Sequence, residues 1–243
     1  PEMERREHES WVEHRERLLK YMARTRRSAN GLRYRVSYKV LNACDYGIPQ
    51  QRHRVFVVGF RDDLNATWAF PAPTHSRDAL RWSQRPDGEY WTRHGVSKRE
   101  RRELAQVDVG TMIPPTAKPW RTVRDALVGL PEPRAMDAPG VLNHRLQPGA
   151  RSYPGHTGSA LDEPAKALKA GDHGVPGGEN MLTYPDGRVR YFSVRESARL
   201  QTFPDDYEFQ GAWGEAMRQI GNAVPVLLGC VVAEAVRDAL TSS

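Results

Sequence analysis

The sequence predicts an α/β chain in which a small, loop-rich α+β domain is set between two better-ordered ends. Three observations carry this. Arg33–Ala43 alternates, with Val36, Tyr38 and Val40 on one face, and Val55–Phe60 is a short continuous apolar run; the two patterns read as strands. Residues 65–192 are dense in Pro, Gly, His and Arg, with weak apolar periodicity. From Val224 to Leu240 apolar residues recur at helical spacing. The expected divisions are 1–64, 65–192 and 193–243.

Residues 1–30 read as a charged helix on the surface of a larger body. Ser10 and Glu13 have capping-box spacing, and Trp11, Leu18, Leu19 and Met22 share one face. Arg24–Arg27 fall near its C-terminal end, where cations suit the helix dipole. Arg33–Ala43 is the first strand. Val55–Phe60 is the second, and its unbroken apolar run predicts burial on both faces. Asp45–Gln50 is a loop by its Gly and Pro. In the middle span short elements are expected near Lys98–Gln106, Thr122–Leu130 and Arg188–Phe192, with a glycine-dependent loop at Gly171–Gly178. Ser193 with Glu196 makes a second capping box and opens a helix to about Thr202. In the last helix Leu227, Leu228, Val231, Val232, Ala235, Val236, Ala239 and Leu240 form the stripe, and Pro225 is tolerated in its first turn.

Composition excludes several classes. The 243 residues suffice for a sizeable core; a chain of this size buries roughly 70% of its unfolded surface. The longest uncharged apolar stretch, Gln219–Ala233, falls short of the ~20 residues of a membrane span. Two cysteines, Cys44 and Cys230, support neither a disulfide scaffold nor a thiolate zinc site, and a reducing cytoplasm is expected. The eight histidines lack metal-ligand spacing, so no metal is expected. No GxGxxG or P-loop is present. The net charge is +6 and only six of the 36 cations are lysine. Arginine suits bidentate contact with phosphate and guanine; a GC-rich coding sequence would also enrich it.

Three segments carry chemistry. In Leu41–Arg54, Arg52 and Arg54 lie two apart at the mouth of a strand and so point to one side. Such a pair can grip phosphates or a base carbonyl, or simply be surface arginines. Arg195–Tyr207 is a capped helix with an aromatic stop. Gln219–Pro225 is expected to place backbone N–H groups and Asn222 at a helix N-terminus, as an anion site or only a cap.

Taken together and in this order, DYGIPQQRHR, RESARLQTFPDDY and QIGNAVP resemble motifs VIII, IX and X of the cytosine-5 DNA methyltransferase family. The long span between the first two occupies the place of that family's target-recognition domain, and Pro164–Asn180 has its look. The resemblance implies the C-terminal portion of a Rossmann-like catalytic domain plus a small loop-rich recognition domain. It implies methyl transfer from S-adenosyl-L-methionine to carbon 5 of a cytosine flipped from double-stranded DNA. By the same resemblance Arg54 contacts the flipped ring's carbonyl oxygen, Arg52 braces the site or a phosphate, and Gln50 positions its DNA side. Asn222, with Gly221 and Ala223, meets the carboxylate end of the methyl donor. Arg151, His156, Lys169, His173, Gly177, Gly178 and Asn180 are candidates for DNA contact. Ser193–Tyr207 is scaffold. A bacterial, nucleoid-associated cytoplasmic setting follows, with host DNA protection as its usual purpose.

The Phe-x-Gly-x-Gly donor loop, the Pro-Cys nucleophile loop and the Glu-Asn-Val motif are missing from these residues. Cys44 follows Ala rather than Pro, and Cys230 lies in the last helix; both read as small core residues. The chain is therefore expected to be inactive alone. It reads as one subunit of a split enzyme, partnered by an N-terminal methyltransferase subunit, or as part of a longer chain lacking its first Met. An open sheet edge at 33–60 and an apolar last helix would suit such a partner. The alternative is a non-catalytic, sequence-specific DNA-binding remnant or regulator; a structural module with no DNA role must treat all three motifs as chance.

Overall fold

A computed structural model of the chain describes residues 4–25, 33–104, 113–137, 139–155, 157–169 and 178–242. They form two compact units, one of Pro1–Ser37 with Val58–Asn65 and one of Tyr38–Val57 with Ala66–Ser243.

The first unit holds α1 (Trp11–Thr25) and the outer ends of β1 (Tyr34–Asn42) and β2 (His53–Arg61), which pair as a two-stranded sheet. The predicted capping box is present: Ser10 Oγ accepts from the Glu13 N–H, and the Glu13 carboxylate accepts from the Ser10 N–H. Trp11 and Leu19 are nevertheless exposed. Among the described side chains of α1 the buried one is His14, 3.1 Å from a Glu9 carboxylate that Arg17 grips at 2.7 Å. A polar lock, not an apolar face, organises this end.

The second unit begins in the inner halves of the same strands. Val55–Phe60 is a strand as predicted, but its expected two-sided burial is wrong: Val55 and Val57 are 65% and 66% exposed. The strand has one neighbour, β1, among the described residues. A 3-10 turn, Ala43–Tyr46, follows β1 and ends at Gly47, whose φ of +86° glycine adopts without strain. β3 (His75–Ser76) leads into α2 (Arg77–Ser83), capped by Ser76 Oγ, then α3 (Glu89–Arg93) and α4 (Lys98–Leu104). β4 (Lys118–Pro119) returns to pair in parallel with β3, His75 facing Lys118. α5 (Val123–Leu127) carries a capping box between Thr122 and Asp125.

β5 (Ser159–Ala160), β6 (Met181–Thr183) and β7 (Val189–Tyr191) make a three-stranded sheet, parallel then antiparallel. α6 (Val194–Leu200), α7 (Trp213–Asn222) and α8 (Val226–Thr241) complete the chain. One core joins these parts: Val123, Leu168, Leu182, Phe192, Leu200, Met217 and Ile220 pack in a single cluster. A second gathers Leu80, Tyr90, Trp91 and Val96. In the last helix Leu228 and Val232 are buried while Leu227 and Leu240 stay exposed, so the apolar stripe is only partly covered. No helix among the described residues is long and apolar enough to cross a membrane.

The cysteines divide. Cys44 is buried as expected, and burial pushes its thiol pKa well up. Cys230 is exposed, which corrects its reading as a core residue: it sits on the uncovered side of α8. A small thiol reagent is expected to modify one equivalent in the native protein, at Cys230, and two in denaturant. Two fast native equivalents would contradict the burial of Cys44.

Candidate active site

The segment from Ala43 to Arg54 is held at several points. The Ala43 N–H donates to the Arg52 carbonyl at 2.9 Å. Pro49–Gln51 lies alongside Ala165: the Ala165 N–H donates to Pro49 at 3.0 Å and the Gln51 N–H to Ala165 at 2.8 Å. Pro49 lacks an N–H, so its carbonyl alone serves this pairing.

Arg52 is 1% exposed. Its Nη1 donates to the Leu168 carbonyl at 2.9 Å; its Nη2 donates to the carbonyls of Gly221 and, at 3.1 Å, Ala223. Burial, with the charge of Arg54, lowers its pKa to about 10. This corrects the expectation of two arginines gripping a ligand side by side. Arg52 grips backbone, and through it the DYGIPQQRHR segment, the QIGNAVP turn and the residue before Lys169 are tied together. Gln50, fully buried, contributes a long 3.5 Å contact from Arg52 to its Oε1. The Gln50 Nε2 is buried with no hydrogen-bond partner.

Arg54 is different. It is half-buried, and its Nη1 donates to the adjacent His53 carbonyl at 2.9 Å. The rest of its fork has no partner among the described residues. A guanidinium partly withdrawn from water, with donors to spare, suits an acceptor brought from outside the chain.

The Asn222 turn corrects a second expectation. Asn222 is the last residue of α7, not the start of a helix, and the Ala223 N–H is taken by the carbonyls of Gln219 and Ile220. α8 starts beyond Pro225. Its first donors are occupied too: the Val226 N–H bonds the Gln201 carbonyl at 3.0 Å and the Leu227 N–H bonds Thr202 Oγ1 at 2.9 Å. No open helix N-terminus exists here. Gly221 is buried, and Asn222 is exposed on a turn whose position Arg52 fixes.

Ser193–Tyr207 is built as scaffold. Ser193 and Glu196 form the predicted box, and Arg190 pairs with the buried Glu196 carboxylate at 2.7 Å on both oxygens. Arg195, fully buried, donates to the carbonyls of Leu142, Pro204 and Tyr207. Arg199 pairs with Asp205 at 2.6 Å.

The candidate DNA contacts are dispersed. Arg151 is exposed. Lys169 is exposed and paired with Glu179 at 2.7 Å. Asn180 is buried, its side chain bonding the backbone N–H and carbonyl of Lys169 at 3.2 Å each. It therefore closes the base of the loop, and direct readout by that amide would need these bonds to break. Gly178 opens a 3-10 turn. His156, His173 and Gly177 lie outside the described residues, as does Gly171–Val175 of the glycine loop.

One polar cluster escaped sequence reasoning. Tyr90 Oη bonds Thr122 and Asp162, each at 2.8 Å, and Arg124 grips Asp162 at 2.6 and 2.9 Å. Only the short element expected near Thr122–Leu130 touches it. No group of three His, Cys, Asp or Glu side chains among the described residues could hold a metal ion.

Comparison with known proteins identifies the family. The chain is 33% identical over 212 residues to the type II methyltransferase M.MthTI of Methanothermobacter thermautotrophicus, covering 85% of this chain and 57% of that protein. It is 33% identical over 236 residues to the type II methyltransferase M.SacI of Streptomyces achromogenes, covering 85% and 53%. The chain thus spans about half the length of the curated relatives it matches. Its fold resembles the crystal structure of the S. pombe Dnmt2 methyltransferase, with a TM-score of 0.51, 16% identity, and coverage of 93% of this chain and 62% of that one; this is an α/β methyltransferase-like fold. The model of the C-5 cytosine-specific DNA methylases matches residues 11–238. The chain belongs to the C-5 cytosine-specific DNA methylase family.

Proposed function

We propose that this chain supplies the target-recognition part and one wall of the catalytic pocket of a DNA cytosine-5 methyltransferase. It acts with a complementing methyltransferase part that carries the nucleophile and the donor loop. The observation that carries the reading is Arg52: a single buried guanidinium joins the segment bearing Arg54, the turn bearing Asn222 and the backbone beside Lys169. An arrangement that only bound DNA would not need the first two held together.

In this reading Arg54 donates to the carbonyl oxygen of a flipped cytosine. Negative charge builds on that ring as a nucleophile adds to it, and a preorganised donor in a partly dry site stabilises such charge. Arg52 holds the strand mouth, and Gln50 brings a buried amide whose Nε2 has no hydrogen-bond partner. S-adenosyl-L-methionine, when bound, supplies the electrophilic methyl. The residues here fit one edge of it: the exposed Asn222 amide can meet its carboxylate, and the immobile turn keeps that amide in place. The middle span, 65–192, carries recognition, with Arg151 and Lys169 among its exposed cations, Asn180 bonded to the Lys169 backbone, and His156, His173, Gly177 and Gly178 as further candidates for DNA contact.

The test is transfer of labelled methyl from S-adenosyl-L-methionine to duplex DNA, by the chain alone and with the complementing part added. Activity only with the addition is the expected result. Activity by the chain alone would overturn the division of labour. Salt-sensitive duplex binding with no activity in either case would favour a non-catalytic binder.

A further inference from the structure

The 43–54 segment has a second contact with the rest of the unit, outside the variable loops. At Gly47 the backbone passes so close to His75 that a Cβ there would stand 2.7 Å from the ring Cε1 and 2.9 Å from Nε2. The neighbouring Asp45 accepts from Trp120 Nε1 at 3.1 Å, and its carbonyl accepts from the Thr74 N–H at 2.9 Å. The pair of β3 and β4 is therefore seated on the loop that leads to Gln50 and Arg54.

That pair and the residues after it present two exposed cations, Lys118 and Arg121. His75 and Lys118 are register partners on adjacent parallel strands, so their side chains leave the same face. Arg121 follows three residues later. Burial, then the charges of Lys118 and Arg121, hold the His75 imidazole below its ordinary value. The Asp45 carboxylate is held by Trp120 Nε1 and makes no ion pair with Lys118 or Arg121. Many other cations of this unit are matched: Arg124 with Asp162, Arg190 with Glu196, Arg199 with Asp205, Lys169 with Glu179. Lys118 and Arg121 are exposed and make no ion pair among the described residues. Cations left unpaired beside each other repel, and a bound anion relieves that repulsion.

We propose that His75, Lys118 and Arg121 form a clamp for backbone phosphate of the duplex, which fixes the DNA's position against the segment that bears Arg54. The inference rests on the proposed DNA-methylating function. The clamp reads no sequence; its contribution is register, as phosphate contacts generally provide. It differs from the recognition loops in lying on regular strands pinned to the catalytic segment.

The experiment is the salt dependence of duplex binding by the chain and by Lys118→Ala/Arg121→Ala, with Lys98→Ala as a single-charge control away from the cluster. Both residues are exposed, and an unchanged Tm confirms that the variant folds. Each lost phosphate contact lowers the slope of log affinity against log salt by about 0.9. The double variant is expected to lose about two from that slope and about tenfold in affinity at low salt, with its preference among target sequences unchanged; Lys98→Ala keeps the wild-type slope. A double variant whose slope matches the wild type overturns the clamp and leaves the proposed function standing. A wild-type chain with no salt-dependent duplex binding overturns both.

Discussion

Arg54→Ala is expected to lower methyl transfer by the complemented enzyme about 10²–10³-fold, the usual loss when one donor to a developing negative charge is removed. The effect should fall on kcat, with duplex affinity changed little. The proposed phosphate contacts lie elsewhere, and the Arg54 fork has one protein partner, the carbonyl of its own neighbour. Stability should hardly change for the same reason. Arg54→Lys should recover only part of the rate, because an ammonium cannot reproduce a fork that donates in one plane. Single-turnover measurements with saturating DNA separate the terms. A variant with wild-type kcat removes Arg54 from the pocket.

The largest loss of stability is expected at Arg195. Its side chain is fully buried and donates to three carbonyls, at 3.0 Å to Leu142 and Pro204 and 2.7 Å to Tyr207. Its own N–H donates to the carbonyl of Asn143. Truncation to alanine removes the guanidinium donor from these backbone carbonyls, leaving Pro204 only the Tyr207 N–H, and opens a cavity beside the main core, at a cost of about 3–5 kcal/mol. The denaturation midpoint should drop with little change in its slope, since the surface exposed on unfolding is nearly the same. Arg195→Lys should regain little, having one head group for three acceptors. A loss below about 1 kcal/mol would mean that the carbonyls find other donors.

The sequence exposed the local structure better than the burial. Ser10/Glu13 and Ser193/Glu196 form the boxes their spacing announces, because a cap depends on four consecutive residues and little else. The two strands at 34–42 and 53–61 were legible from their periods. Their exposure was not: an apolar run says what a strand can cover, and only the neighbours say what does. The short pieces β3, β4 and β5 are two residues long, too brief for any period to show.

At the site the residue types were legible and their division of labour was not. Arg52 and Arg54 look alike in sequence, yet one is consumed by carbonyls more than a hundred residues away and the other is half open. The spacing puts Asn222 at a helix start, when one helix ends at Asn222 and another begins past Pro225; Cys230 lies in the last helix as expected, but on its exposed side. Proline at that junction ends one helix and begins the next, and a pattern of apolar spacing runs through both without a gap.

The bonds of Arg52 also set an order of events during folding. They close loops of 116, 169 and 171 residues in a chain of 243. Contacts so remote in sequence form late, after their closure entropy has been met by other structure. A ribosome must release Ala223 before the strand mouth can be locked. Until then Arg52 is a hydrated charge facing an unfinished core. The local boxes and the β6–β7 hairpin can form early; the site edge is assembled only once Arg52 meets the backbone at Leu168, Gly221 and Ala223.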